Sequence, residues 1–175
     1  MSSADVQAIR SLSGRVAVLS VALALGGCFQ PLYGGAAGGQ LRDELSAIAV
    51  DPIPDRLGHY LANELVFALN GTGSTVSPKY RLTIAARERV QSPVIDTISG
   101  RATAGTIVVD AEYRLAPVGG GEAIAQGVAF SAASYDRTNQ RFANIRAARD
   151  AEIRDAKALA EQIKTRLTSA LSSKT

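Results

Sequence analysis

Several kinds of residue are scarce in this chain, and each scarcity excludes a class of protein. A single cysteine among 175 residues leaves no intramolecular disulfide to hold the fold. A single histidine, His59, excludes a histidine metal cluster and leaves little basis for a catalytic triad. The longest mainly apolar stretch, Val16 to Leu25, has ten residues, too few for a helix across a hydrocarbon core of ~30 Å. A net charge of only +3 excludes nucleic-acid binding driven by bulk charge.

Carboxylates are the catalytic groups that remain available, because a pair of Asp or Glu side chains suffices for a glycan hydrolase. Residue spacing alone leaves that alternative open for carboxylates on distant elements. No phosphate-binding loop, metal-ligand spacing or nucleophile with an adjacent base is present. We therefore predict a protein that is not an enzyme and that carries no cofactor or metal.

The N-terminal segment has the three parts of a secretory signal in order. Arg10 and Arg15 precede the apolar stretch, and Leu25-Gly26-Gly27-Cys28 follows it. This ending resembles a lipobox, the bacterial lipoprotein signal in which the chain is cut before a cysteine whose sulfur carries the lipid. The alternative is a free cysteine buried at the end of a core helix. We predict a cleaved signal peptide over residues 1–27 and lipidation of Cys28.

A lipidated Cys28 would anchor the chain stably, since a lipoprotein carries two or three acyl chains. By resemblance to bacterial lipoproteins, Phe29 in place of aspartate after the cysteine indicates the outer membrane. The glycine-rich stretch 34–40 predicts a flexible tether. We assign residues 28–46 to the lipidated N-terminus and tether, and residues 47–175 to a single domain.

Hydrophobic periodicity predicts the elements of that domain. A short strand over 47–50 precedes a helix over 56–70, with Asp55 as its N-cap and Gly71 as its stop. Three strand-like stretches with a period of two follow. Their expected buried residues are Tyr80, Leu82, Ile84, Ala86 and Val90; Ile107, Val109, Ala111, Tyr113 and Leu115; and Ile124, Val128, Phe130 and Ala132.

A long last helix over about 142–171 completes the chain. Its expected apolar stripe is Ile145, Ile153, Ala156, Ala160, Ile163, Leu167 and Ala170. The mixed charges in its first half, including Asp150, Glu152 and Asp155, indicate a solvated face. The predicted fold is therefore α/β (α+β): a mixed, mostly antiparallel four-stranded sheet with two helices on one face, in the order β-α-β-β-β-α.

Short motifs distributed along the chain carry a family resemblance. They are Gly27-Cys28-Phe29-Gln30-Pro31-Leu32-Tyr33-Gly34, Asp55-Arg56-Leu57-Gly58, Tyr80-Arg81-Leu82, Ala111-Glu112-Tyr113-Arg114-Leu115, Ser134-Tyr135-Asp136, Phe142-Ala143-Asn144 and Leu159-Ala160-Glu161-Gln162-Ile163. Together they resemble the LptE-type lipopolysaccharide-assembly lipoproteins (rare lipoprotein B). The resemblance implies a small α/β domain seated in the lumen of the LptD β-barrel, with lipopolysaccharide (LPS) delivered to the outer leaflet. It therefore implies the LptD-type barrel, LPS and the membrane as partners.

Topology nominates a binding surface without help from the family. In an up-down-up meander, the 91–103 and 134–141 loops lie at one end of the sheet, together with the 51–55 connection. That end collects Arg89, Arg101, Arg137 and Arg141 beside the N-terminal turns of the last helix. Arginine forks and free backbone N–H groups suit the phosphates and carboxylates of LPS. We call these four residues the predicted basic end.

Two alternatives compete with this prediction. The arginines could pair with Asp96, Asp136 and Asp150, or contact the barrel wall. The arginine excess itself, fifteen of nineteen basic residues, is also what GC-rich coding would produce. For the whole protein, the alternative is an outer-membrane-anchored periplasmic module that binds a soluble partner or cell-wall glycan.

Overall fold

The computed structural model describes residues 36–71, 76–92 and 102–173. It contains the predicted order of elements, preceded by one further helix. The elements are α1 (Ala36–Ser46), β1 (Ile48–Val50), α2 (Asp55–Asn70), β2 (Tyr80–Gln91), β3 (Ala104–Pro117), β4 (Ala125–Asp136) and α3 (Arg141–Ser172).

The four strands form one mixed sheet in the order β1-β2-β3-β4. The short β1 is parallel to β2, and β2, β3 and β4 are successively antiparallel. This arrangement confirms the predicted sheet. The alternation in β3 is also as predicted, because Ile107, Val109, Ala111, Tyr113 and Leu115 are all buried. The strand therefore turns one apolar face to the helices and the other face outward.

The core lies between the sheet and helices α2 and α3. Leucines at every fourth position of α2 are buried, as the predicted stripe requires: Leu57, Leu61, Leu65 and Leu69. They meet Leu159, Ile163 and Leu167 of α3 in a single hydrophobic cluster with the inner face of the sheet. Both predicted helices are thus on the same side, and the opposite sheet face is uncovered by any described helix.

Helix α1 corrects the prediction of two helices and a tether extending to residue 46. Residues 36–46 are helical, and Leu41 and Leu45 are buried in the core cluster. The compact unit begins at Gln40. Burial of two leucines four residues apart outweighs the low helix propensity of Gly38 and Gly39. Residues 1–35, with the predicted signal peptide and Cys28, lie outside the described residues.

Strand β4 corrects a second prediction, because its inner and outer faces are exchanged. Ala129 and Ala133 are buried, whereas Val128 and Phe130, which were predicted to be buried, are each 53% exposed on the outer face. Helix α3 lies close along β4, whose inward residues from Ala125 to Ala133 are all small. A Cβ at the inward Gly127 would come within 3.0 Å of the Tyr113 hydroxyl. Close helix packing therefore sets the orientation of this strand.

The start of α2 is a third correction. The helix begins at Asp55, one residue earlier than predicted, and no side-chain hydrogen bond caps it. Asp55 has φ of +69°, a left-handed value that aspartate tolerates better than most residues. One turn later, a Cβ on Gly58 would lie 2.8 Å from the Ile53 carbonyl oxygen. Glycine therefore allows the incoming chain to cross this helix closely, and the predicted stop at Gly71 is confirmed by its N–H bond to the Phe67 carbonyl.

Within the described ranges, no helix combines the length and apolar character needed to span a membrane.

Candidate functional site

The end of the sheet that carries the predicted basic end is closed by main-chain and side-chain bonds. The Arg137 N–H donates to the Thr103 carbonyl at 2.9 Å and so extends the pairing of β3 and β4. The Arg137 guanidinium donates to the Ser92 hydroxyl at 3.2 Å and to the Tyr135 hydroxyl at 3.1 Å. Arg137 therefore connects the end of β4 to the end of β2.

Tyr135 supports this arginine from below. The Arg137 guanidinium carbon lies 5.6 Å from the centre of the Tyr135 ring, within cation–π range. The ring in turn lies across Gly105, where an added Cβ would come within 2.6 Å of it. A residue without a side chain is therefore required beneath the tyrosine, and the arginine is held in one orientation at the rim of the sheet.

The turn into α3 is shaped by a reciprocal amide contact. Asn144 accepts the Thr138 N–H at 2.8 Å and donates its own amide to the Thr138 carbonyl at 2.9 Å. Arg141 then begins the helix, and its exposed side chain makes no hydrogen bond or ion pair to another described residue. The first turn of α3 contains no acidic residue. Positive charge at a helix N-terminus opposes the helix dipole, so this position favours an incoming anion.

Arg89 is separated from Arg137 by the sheet itself. The strand register places Arg89 on the outer face, whereas Tyr135 packs against the core on the helix-facing side. Arg89 forms an ion pair at 2.6 Å with Asp110 on the neighbouring strand. The structure thus brings Arg137 and Arg141 to one rim and places Arg89 on the other face. Arg101 lies outside the described residues.

Two buried carboxylates of α3 correct the prediction of a solvated acidic face. Glu152 and Asp155 are 2% and 1% exposed, while Ile145 and Ile153, expected inward, are exposed. Extending the buried line of Ile163 and Leu159 backward in steps of four reaches Asp155 and Ala151. That extension was the available sequence signal, and the apolar residues at 145 and 153 obscured it.

Each buried carboxylate has a specific partner from a distant element. Glu152 accepts two hydrogen bonds from the Arg56 guanidinium. The Arg56 Nε donates to Glu152 Oε2 at 2.7 Å, and the Arg56 Nη2 donates to Glu152 Oε1. The Ser131 hydroxyl donates to Asp155 Oδ1 at 2.5 Å, and Asp155 Oδ2 has no hydrogen-bond partner among the described residues. Burial raises the pKa of Asp155, although the Ser131 bond opposes that shift. These contacts join α3 to α2 and to β4.

Metal-ligating side chains are not clustered in the part of the chain that the structure describes. No three His, Cys, Asp or Glu side chains there are grouped as metal ligands. The single histidine, His59, lies 3.1 Å from the Asn63 amide, one turn further along the exposed side of α2. The site is instead a rim of cationic side chains beside an uncovered sheet face.

Fold and site together define a class of small two-layer α/β domains with one open sheet face. The chain belongs to the LptE family, described as lipopolysaccharide-assembly, whose family model matches residues 40–167. Membership supports a role in LPS assembly at the cell envelope. No curated protein matches the chain.

Solved structures share the fold at low sequence identity. A Caulobacter crescentus protein assigned as a lipoprotein is 23% identical, with a TM-score of 0.63, over 77% of this chain and 97% of that one. A minor lipoprotein from Acinetobacter baumannii is 16% identical, with a TM-score of 0.55, over 70% and 90% respectively. At these identities the likeness shows the fold alone.

Proposed function

We propose that this protein is an outer-membrane lipoprotein, anchored through Cys28, that assembles with an LptD-type β-barrel and helps to insert LPS into the outer leaflet. The observation that carries the proposal is the LptE family match over residues 40–167, which begins twelve positions after the lipobox-like Leu25-Gly26-Gly27-Cys28 ends. Its role is that of a plug and assembly factor without enzymatic activity.

The uncovered face of the sheet supports a seat inside a polar lumen. Ion pairs cross this face from β2 to β3, between Arg89 and Asp110 and between Arg87 and Glu112. The lumen of an outer-membrane barrel is polar, in contrast to its lipid-facing exterior. Val128 and Phe130 are the exposed large apolar residues on the described part of the face, and they offer two points for closer contact with a barrel wall.

Co-purification after detergent extraction tests the assembly. The affinity-tagged protein, extracted from its own outer membrane, should bring down a barrel of large mass. Depletion of the protein should lower the amount of assembled barrel and admit large hydrophobic antibiotics. Recovery of the protein as a free monomer, with normal barrel levels and normal permeability, would contradict the proposal and favour a periplasmic binding module.

The basic residues supply the proposed contact with LPS. Arg137 and Arg141 lie on one rim beside the N-terminus of α3, and Arg101, outside the described residues, comes between β2 and β3 in the sequence. Arg89 is the fourth residue of the set and lies on the outer face. An anion can bind it there only by replacing Asp110 as its ion-pair partner. Each charge-assisted hydrogen bond to a phosphate contributes about 1.5–3 kcal/mol when shielded, and less when exposed.

Paired charge reversals test this contact. Arg137→Glu with Arg141→Glu should weaken binding of purified LPS at least about tenfold at low salt, because two attractive contacts become repulsive. The matched control is Arg42→Glu with Arg114→Glu, two exposed arginines without an ion pair to any described residue. Equal weakening by both pairs would show that only net charge matters, and no weakening by either would remove the rim as the site.

A further inference from the structure

Among the described residues, most of strand β2 has no neighbouring strand on one side. The parallel strand β1 pairs only with Tyr80, Arg81 and Leu82, and the chain then leaves the sheet after Asp51 donates to the Leu82 carbonyl. Strand β2 continues for nine more residues, to Gln91. This edge is distinct from the basic rim and from the outer sheet face.

The ladder geometry shows which backbone groups face the gap. Tyr80 donates its N–H to Ala47, and Leu82 accepts from Asp51, so even-numbered residues of β2 point towards β1. Alternation then directs the N–H and C=O of Ile84, Ala86, Glu88 and Val90 to the same side, beyond the end of β1. These groups have no hydrogen bond to any other described residue. The open edge spans about 23 Å of extended chain.

The opposite edge of the sheet is closed by side chains of α3. The edge carbonyls of Ser134, Phe130 and Val128 accept hydrogen bonds from Arg154, Gln162 and Arg166 in turn. Proteins usually cover or block a free strand edge in this way, because it is a template for another strand. No described side chain caps the β2 edge in this way, and all residues from 87 to 91 are exposed.

The side chains along the open edge define what would fit it. Glu88 points to the helix-facing side and has no ion pair or hydrogen bond within the described ranges. The charged groups around it are Glu152, Asp155 and Asp55, with only Arg56 of opposite sign, and partial loss of hydration together with Glu152 raises the pKa of Glu88. On the same side, Val90 is 54% exposed. The gap therefore favours a cation beside Glu88 and an apolar side chain beside Val90.

We propose that the β2 edge from Ile84 to Val90 binds an extended segment of a partner protein as an added strand, with a lysine or arginine beside Glu88 and an apolar residue two positions away beside Val90. Main-chain hydrogen bonds give such an added strand its affinity, and alternate side chains give its specificity. The inference rests on the geometry of this edge and does not depend on the proposed function.

A second copy of the chain is a poor occupant of this edge. Antiparallel pairing of two β2 strands about Arg87, Glu88 or Arg89 places that residue directly opposite its own copy. Like charges in directly opposed positions destabilise a strand pair. The charges on β2 thus disfavour self-pairing and leave the edge open to a different sequence.

Hydrogen exchange with designed peptides tests the proposal on the full-length protein. The probe is a nine-residue peptide of alternating threonine and valine with one central lysine. Its addition should slow exchange of the Ala86, Glu88 and Val90 amides at least tenfold, while the odd-numbered amides, already bonded to β3, change little. A peptide with central glutamate should bind roughly tenfold more weakly, and Glu88→Lys should reverse that preference.

Proline variants separate strand addition from general surface binding. Val90→Pro removes an N–H that faces the gap and none that bonds to β3, so it should abolish peptide binding with little change in Tm. The control is Ala132→Pro at the β4 edge, which should retain binding. Absence of any binding by the lysine peptide at millimolar concentration would overturn the proposal, as would equal binding to the Val90→Pro variant or protection without the even–odd pattern. Each of these outcomes leaves barrel co-purification, the test of the proposed function, unaffected.

Discussion

At the scale of single residues, Asp155 is the clearest departure from ordinary surface chemistry. It is buried on α3, and one carboxylate oxygen has no hydrogen-bond partner among the described residues. A buried polar atom in this condition typically costs about 1–3 kcal/mol. The residue therefore weakens the fold when it is ionised and gives it a dependence on pH.

The sign of that dependence follows from the raised pKa of Asp155. An acid with a higher pKa in the folded state stabilises the fold most when protonated, and the stability is lost as pH rises from about 4 through the raised value. At pH 8, Asp155→Asn should therefore raise the free energy of unfolding by about 1–2 kcal/mol relative to the wild type. The variant has no buried charge at this position, and its amide carbonyl still accepts the hydrogen bond from Ser131.

Urea unfolding at several pH values measures this difference. The advantage of Asp155→Asn should shrink towards zero as the pH falls to 4, where the wild-type carboxyl becomes protonated. Asp150→Asn serves as the control, since Asp150 is an exposed carboxylate in an i,i+4 pair with Arg154 on the same helix. A constant difference between wild type and Asp155→Asn across the pH range would show that ionisation of Asp155 is not the cause.

At the scale of elements, α1 is the part of the fold whose contribution is easiest to measure. Leu45 is 4% exposed and belongs to the same core cluster as the leucines of α2. Leu45→Ala should destabilise the protein by about 2–4 kcal/mol, as truncation of a buried leucine does. Chemical unfolding of the purified protein checks the value.

The exposed Arg42 on the same helix supplies the comparison. Arg42→Ala should change the free energy of unfolding by less than about 0.5 kcal/mol. If Leu45→Ala has an equally small effect, residues 36–46 do not belong to the cooperative unit and would have to be treated as a tether after all.

Strands β3 and β4 show why some elements are predictable from sequence and others are not. In β3, apolar residues from Val109 to Leu115 alternate with Asp110, Glu112 and Arg114, so only one orientation buries the apolar set without burying the charges. In β4, alanines occupy both faces, and the larger Val128 and Phe130 suggest the wrong one. The orientation of β4 is set by the close approach of α3, along which the inward residues from Ala125 to Ala133 are small.

The candidate site divides in the same manner. Topology alone predicts that the ends of β2 and β4 meet, and Arg137 does reach Ser92. Alternation also assigns each strand residue to one face or the other. The ion-pair partner of Arg89, however, depends on the β2–β3 register, which places Arg87 opposite Asp110 and Arg89 opposite Val108. The Arg56–Glu152 pair joins residues 96 positions apart, a separation that no local pattern reveals.

At the scale of the whole molecule, the proposed anchor and the folded unit are separable. The first buried residue among those described is Leu41, thirteen positions after Cys28. Cys28→Ala should therefore leave Tm unchanged within about 1 °C while removing the lipid, because the described core begins only at Leu41. Radiolabelled palmitate should enter the wild type and not the variant, and label persisting in the variant would contradict the lipoprotein assignment.

The shortness of β1 has a mechanical consequence. Tension applied at the N-terminus reaches the sheet through α1 and then through a strand that pairs over only three residues. The antiparallel pairs behind it extend over twelve residues each, from Tyr80 to Gln91 and from Ala104 to Leu115. A pull on the proposed anchor would therefore peel away α1 and β1 first and leave the β2–β3–β4 meander intact. The attachment of the domain should therefore give way at β1, at a lower force than is needed to separate the longer strand pairs.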